Sequence, residues 1–180
     1  MSSQFYIFPI LLGLFFNSPL THAQNKNSSE VTMQQHHHAS APNTLLRPIN
    51  PTHATIPNVS QAIIVEQGQP MYLSGHVPIT ENGDILQAGL EQQLHLVFQN
   101  IEKTLHQANV STQQLVKLTI YVRNLKPDQL ATIRKVRDQF IHAELPPASS
   151  LIGVAQLFHP DVLVEVEAIA VIPPNKTSNF

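Results

Sequence analysis

Between Leu90 and Ala108 apolar residues return every three or four positions. At 100° per residue, Leu90, Leu94, Val97, Phe98, Ile101, Leu105 and Ala108 share an arc of about 100°, opposite Gln92, Gln99 and Lys103. This predicts a helix over 89–109 with one core-facing stripe. The period then changes to two. Val116, Leu118, Ile120 and Val122 alternate with Lys117, Thr119, Tyr121 and Arg123, as in a strand with one buried face. Pro127-Asp128 opens a second helix that is expected to run to about Ala143, with Pro146-Pro147 as its stop. Leu130, Ile133, Val136, Phe140 and Ile141 form its apolar arc. Arg137 falls in the middle of that arc and Arg134 at its edge.

Shorter runs complete the pattern. Gln61–Glu66 and Met71–His76, separated by Gln67-Gly68-Gln69-Pro70, read as strand, turn and strand. Asn82-Gly83-Asp84 is a tight-turn signal, and a third short strand is expected near Ile85–Leu86. Ser149–Gln156 and Val162–Ile172 read as two closing strands joined by a loop containing His159-Pro160-Asp161. The order β-β-(β)-α-β-α-β-β is an α+β plan, with two helices on one face of a mixed sheet and right-handed crossovers. Helices in one layer leave the other sheet face open, and oligomerisation is the economical way to cover it.

Composition narrows the function classes. Charged residues are 12% of the chain, about half the usual share of roughly 25%, and the net charge is −2. No electrostatic footprint for nucleic acid or an anionic membrane surface follows from this, which places a ribonuclease reading last. Without cysteine there is no disulfide framework, thiolate nucleophile or zinc–thiolate site.

The apolar run at residues 5–16 is too short to span a bilayer comfortably, and Thr21-His22-Ala23 is a small-x-small cleavage site. Residues 1–23 are therefore expected to be a secretory signal, and the protein exported, either periplasmic or secreted. No Lys or Arg precedes residue 5, so an uncleaved N-terminal anchor stays open. Residues 24–45 read as a flexible polar linker, 46–173 as the folded domain and 174–180 as a tail. His36-His37-His38 in the linker reads as a solvated tract with incidental metal affinity, so no metal site is expected.

Five blocks, in order, resemble the RidA/YjgF family: Ser60-Gln61-Ala62; Tyr72-Leu73-Ser74-Gly75-His76-Val77-Pro78; Gln93, Asn100 and Ile101; Val116–Val122; and Glu165-Val166-Glu167-Ala168-Ile169-Ala170. The resemblance covers about residues 47–173. It implies a chorismate-mutase-like fold assembled as a homotrimer, with ligand clefts between subunits. It also implies a cofactor-free hydrolase that converts 2-imino or enamine acids to 2-keto acids and ammonia, a 2-iminobutanoate/2-iminopropanoate deaminase type of activity. The partners implied are a small carboxylate or imine ligand and further copies of the chain. No nucleic acid is expected, and no membrane once the signal is cleaved.

Such chemistry needs a cation for the substrate carboxylate and a carboxylate or carbonyl that orients water onto the C=N carbon. Glu165 matches the family's water-orienting glutamate and is the candidate catalytic residue; a polar place at a subunit interface is its alternative. Gly75 is a candidate for close approach to a ligand, or for a simple bend.

The chain departs from the family at three positions. Ser149 stands where the family has its carboxylate-binding arginine, in Pro147-Ala148-Ser149-Ser150. Val59 replaces a tyrosine, and Arg134 replaces a pocket asparagine. Arg134 or Arg137 could restore anion binding from the opposite wall, which makes Arg134 and Ser149 the candidate substrate-binding pair with Gly75. Snorkelling, or an Arg134–Asp138 ion pair, is the structural alternative. His76, where the family has glutamine, reads as a hydrogen-bonded structural histidine or as an acid/base group. Two functions follow: the deaminase, and a non-catalytic metabolite-binding trimer that uses the same clefts.

Overall fold

The computed structural model describes residues 45–53 and 56–174. The expected signal segment, almost all of the expected linker including His36–His38, and all but the first residue of the expected tail lie outside the described residues. Within them the chain forms β1 (Leu46–Ile49), β2 (Ala62–Val65), β3 (Gln69–His76), α1 (Leu90–Gln107), β4 (Leu115–Arg123), α2 (Leu130–Phe140), β5 (Ala148–Val154) and β6 (Val164–Ile172). A four-stranded sheet runs in the order β3-β6-β4-β5. Its first two pairings are antiparallel and the β4–β5 pairing is parallel. β1 and β2 form a separate antiparallel pair.

Periodicity explains the layers. Leu118, Ile120 and Val122 of β4 and Val164, Val166, Ala168 and Ala170 of β6 are buried against Leu94, Phe98, Ile101 and Leu105 of α1 and against Ile133 and Val136 of α2. Each valine, leucine, isoleucine or phenylalanine among them contributes about 1.5–3 kcal/mol by leaving water. Phe98 and Phe140 stack at 5.1 Å between ring centroids and join the two helices. α1 ends in a Schellman motif: Asn109, with φ 55°, donates to the His106 carbonyl and Val110 donates to the Leu105 carbonyl. Leu105 and Val110 are both buried at this helix end. The opposite sheet face carries Tyr72, Lys117, Thr119, Tyr121, Glu165 and Glu167, and no described element covers it. Among the described residues no helix is long and apolar enough to cross a membrane.

Several expectations change. Ile85 makes only an isolated bridge to Ile79, because the segment is a turn closed by Thr80 N–H to the Asp84 carbonyl, with Gly83 at φ 86°. β2 and β3 do not form a hairpin. The strand that pairs with β2 is β1, where Pro48 and Arg47 obscure the pattern, and β3 pairs with β6. Gly68, at φ 102°, passes the chain between the sheets; a Cβ there would lie 2.5 Å from the Ile172 carbonyl oxygen. The second helix stops at Phe140 instead of near Ala143, since Ile141 turns extended at φ −104°, ψ 156° and packs against the core. The prolines lie well beyond that stop. Gln93, a residue of the family resemblance that lies outside the apolar stripe, is buried at 1% exposure. Its amide donates to the Leu86 and Asp161 carbonyls and accepts from the Leu163 N–H, pinning α1 to the loop before β6.

Candidate functional site: two half-sites on opposite faces of the sheet

Glu165 stands on the open face of β6, with Tyr121 beside it on β4 and Glu167 two residues along. The β3–β6 register slips between Leu73 and His76, a bulge with one extra residue on β3. Gly75 sits in that bulge and the Glu165 side chain lies across it. A Cβ at position 75 would overlap Glu165 Oε1 and come within 2.8 Å of its Cδ. The glycine therefore makes room for the carboxylate. Burial raises the Glu165 carboxyl above its ordinary pKa, and the nearby Glu167 charge adds to the effect.

Tyr121 Oη donates to Glu167 Oε2 at 2.9 Å, a bond that raises the phenol's pKa because it favours the protonated form. On the same face Lys117 Nζ donates to Ser150 Oγ at 2.6 Å, and burial lowers its pKa. Tyr72, Lys117, Thr119, Glu167 and Ile169 border a shallow cleft of 260 Å³ beside this row. Tyr121 and Lys117 were not singled out from sequence. The alternation of β4 puts them on one face, but only the β4–β6 register brings them to the glutamates.

Ser149 and Arg134 lie elsewhere. Ser149 is in register with Leu118, whose side chain is buried beneath the helices, so it faces the helix side of the sheet. Together with Arg134 and Arg137 of α2 it lines a cleft of 140 Å³ walled by Ile56, Val59, Ile120, Ile133 and Leu151. Arg134 is exposed and has no hydrogen bond or ion pair among the described residues. The expected Arg134–Asp138 alternative is replaced by a bond between neighbours in sequence: Arg137 Nε and Nη2 hold Asp138 Oδ1 at 2.8 and 2.7 Å. Arg137 is 7% exposed, and its Nη2 also donates to the Pro57 carbonyl at 3.4 Å. Asn58 Nδ2 donates to the other Asp138 oxygen at 2.8 Å.

Buried Ser60 ties the same N-terminal turn to the chain entering β5. Its hydroxyl donates to the Pro146 carbonyl at 2.6 Å and its N–H to the Pro147 carbonyl at 3.2 Å. His76 is hydrogen-bonded as in the structural reading. Its Nδ1–H donates to the Ser74 carbonyl at 2.8 Å, and Nε2 lies 2.9 Å from the Thr104 hydroxyl oxygen, which in turn donates to the Asn100 carbonyl.

The structure thus joins Gly75 to Glu165 and Ser149 to Arg134, but the sheet separates the two pairs. Two helices behind a mixed sheet, a carboxylate row on its bare face and a lateral cleft define a Rid-type α+β protein. The chain belongs to the family described as Endoribonuclease L-PSP, whose model matches residues 51–172; this is the RidA/YjgF family that the five blocks resemble.

A RutC family protein of Pyrococcus abyssi is 35% identical over 112 residues, 62% of this chain and 84% of that protein. TdcF of Escherichia coli, which carries the name of a reactive intermediate deaminase, is 31% identical over 109 residues, 59% of this chain and 82% of TdcF. Among solved structures, the Rid family protein YyfB of Yersinia pestis superimposes with a TM-score of 0.66 at 31% identity, covering 71% of this chain and 98% of YyfB.

Proposed function

We propose that this chain is a cofactor-free hydrolase of reactive 2-imino and enamine acids, assembled as a homotrimer. In the trimer, the Ser149–Arg134 cleft of one subunit would face Glu165 of the partner subunit. The observation that carries the reading is the Glu165 carboxylate: half-buried, seated over a glycine and raised in pKa beside a second carboxylate.

Arg134, charged and uncommitted, holds the substrate carboxylate from the rim, and the Ser149 hydroxyl adds one neutral bond below it. Glu165 orients a water and accepts its proton as the oxygen bonds to the imine carbon. The C=N π pair moves to nitrogen, which takes up a proton. Collapse of the carbinolamine then forms the C=O bond and releases ammonia. We also propose that the enzyme acts outside the cytosol, on the strength of the signal-like residues 1–23.

The test is disappearance of 2-iminopropanoate with the purified protein against a buffer control. Wild type is expected to exceed buffer, and Glu165→Gln to lose about a hundredfold or more. Because the Glu165 pKa is raised, its protonated form persists to higher pH than that of a free glutamate. The rate should therefore fall on acidification at a higher pH than an ordinary glutamate would give. An inert wild type and an active Ser149→Arg variant would overturn the catalytic reading in favour of a metabolite-binding trimer that has lost its anchor.

A further inference from the structure

Resting on that reading, we infer that the cleft beside Ser149 receives the side chain of the substrate, and that the preferred substrates are 2-imino acids with branched aliphatic or aromatic side chains. Ile120 and Ile133, both 2% exposed, form its floor; Ile56 at 53% and Leu151 at 36% form exposed apolar walls. The polar lining side chains are Ser149, Arg134 and Arg137, and of the two guanidiniums that of Arg137 is already turned to Asp138 and the Pro57 carbonyl. Ser149 is short, and any longer side chain at its position would run into the space the cleft occupies.

The volume, 140 Å³, is close to that of an apolar cavity of about 150 Å³ that takes up benzene. The wall is also held in advance of a ligand. The Ile56–Val59 turn is closed by Val59 N–H to the Ile56 carbonyl and fastened through Asn58 to Asp138, and Ser60 is fastened to Pro146. A ligand with a carboxylate at one end and a hydrocarbon group at the other matches a cation at the rim of an apolar cleft. A methyl group, as in 2-iminopropanoate, would leave most of the wall wet.

The experiment compares imines generated in situ from alanine, leucine and phenylalanine. Each further buried methylene is worth about fourfold in kcat/KM, so the leucine-derived imine is expected to exceed the alanine-derived one by about tenfold or more. Ser149→Leu fills the cleft and should bring that ratio toward one, whereas Arg134→Ala should lower all three substrates together. A wild-type preference for the alanine-derived imine, or a ratio unmoved by Ser149→Leu, would overturn the inference.

If no imine is hydrolysed, the proposed activity fails and calorimetry with the keto acids decides the cleft separately. Tighter binding of 4-methyl-2-oxopentanoate than of pyruvate sustains the assignment; equal or weaker binding overturns it.

Discussion

At position 75 the backbone φ lies outside the left-handed region, so an alanine there would meet no conformational penalty. What it would meet is the Glu165 carboxylate. The end of a glutamate is flexible and can swing aside, so Gly75→Ala should cost only about 1 kcal/mol of stability, read from the denaturant midpoint. Displacing the group that orients water is a different matter. Activity should fall on the order of a hundredfold with KM little changed. A loss of stability without a loss of rate would return Gly75 to a mere bend. Both residues were legible as candidates from the family blocks, but their contact was not. It depends on a one-residue slip between β3 and β6, and strand periodicity carries no signal for a bulge.

At the scale of elements, α2 and the turn before β2 act as one unit. Arg137 sits where the helical stripe requires an apolar residue, and it is tolerated because Asp138 and the Pro57 carbonyl accept from it while Asn58 donates to the other Asp138 oxygen. Removing only the anion strands the cation, so Asp138→Ala should destabilise by about 3 kcal/mol by denaturant titration. Adding Arg137→Met to that variant should recover part of the loss, and a double-mutant cycle would measure the coupling. The placement of Arg137 followed directly from the 100° projection. Its partner did not, because adjacent helical residues point in different directions and the bridge closes only around a turn some eighty residues upstream. The same distinction runs through the fold. α1, β4 and β6 have long, clean periods and were readable. β1 and the bridge at Ile85 are too short and too mixed in composition for a period to show.

At the scale of the molecule, one sheet divides the chemistry. Glu165 and Gly75 belong to the open face, Ser149 and Arg134 to the flank under α2. Sequence could place all four residues on their strands and helix. The face each one occupies depended on registers that only the folded sheet supplies. A lone chain therefore carries two incomplete halves of the proposed site, which gives the protein a genetics of its own. A Glu165→Gln chain and an Arg134→Ala chain, each inactive by itself, are expected to rescue one another when unfolded and refolded together. With random assortment about a quarter of the sites would pair an intact carboxylate with an intact guanidinium, and activity should return to about that level of wild type. No recovery on mixing would place both residues in one subunit's site. Where activity returns, two defective alleles have to be counted as partners, not as independent losses.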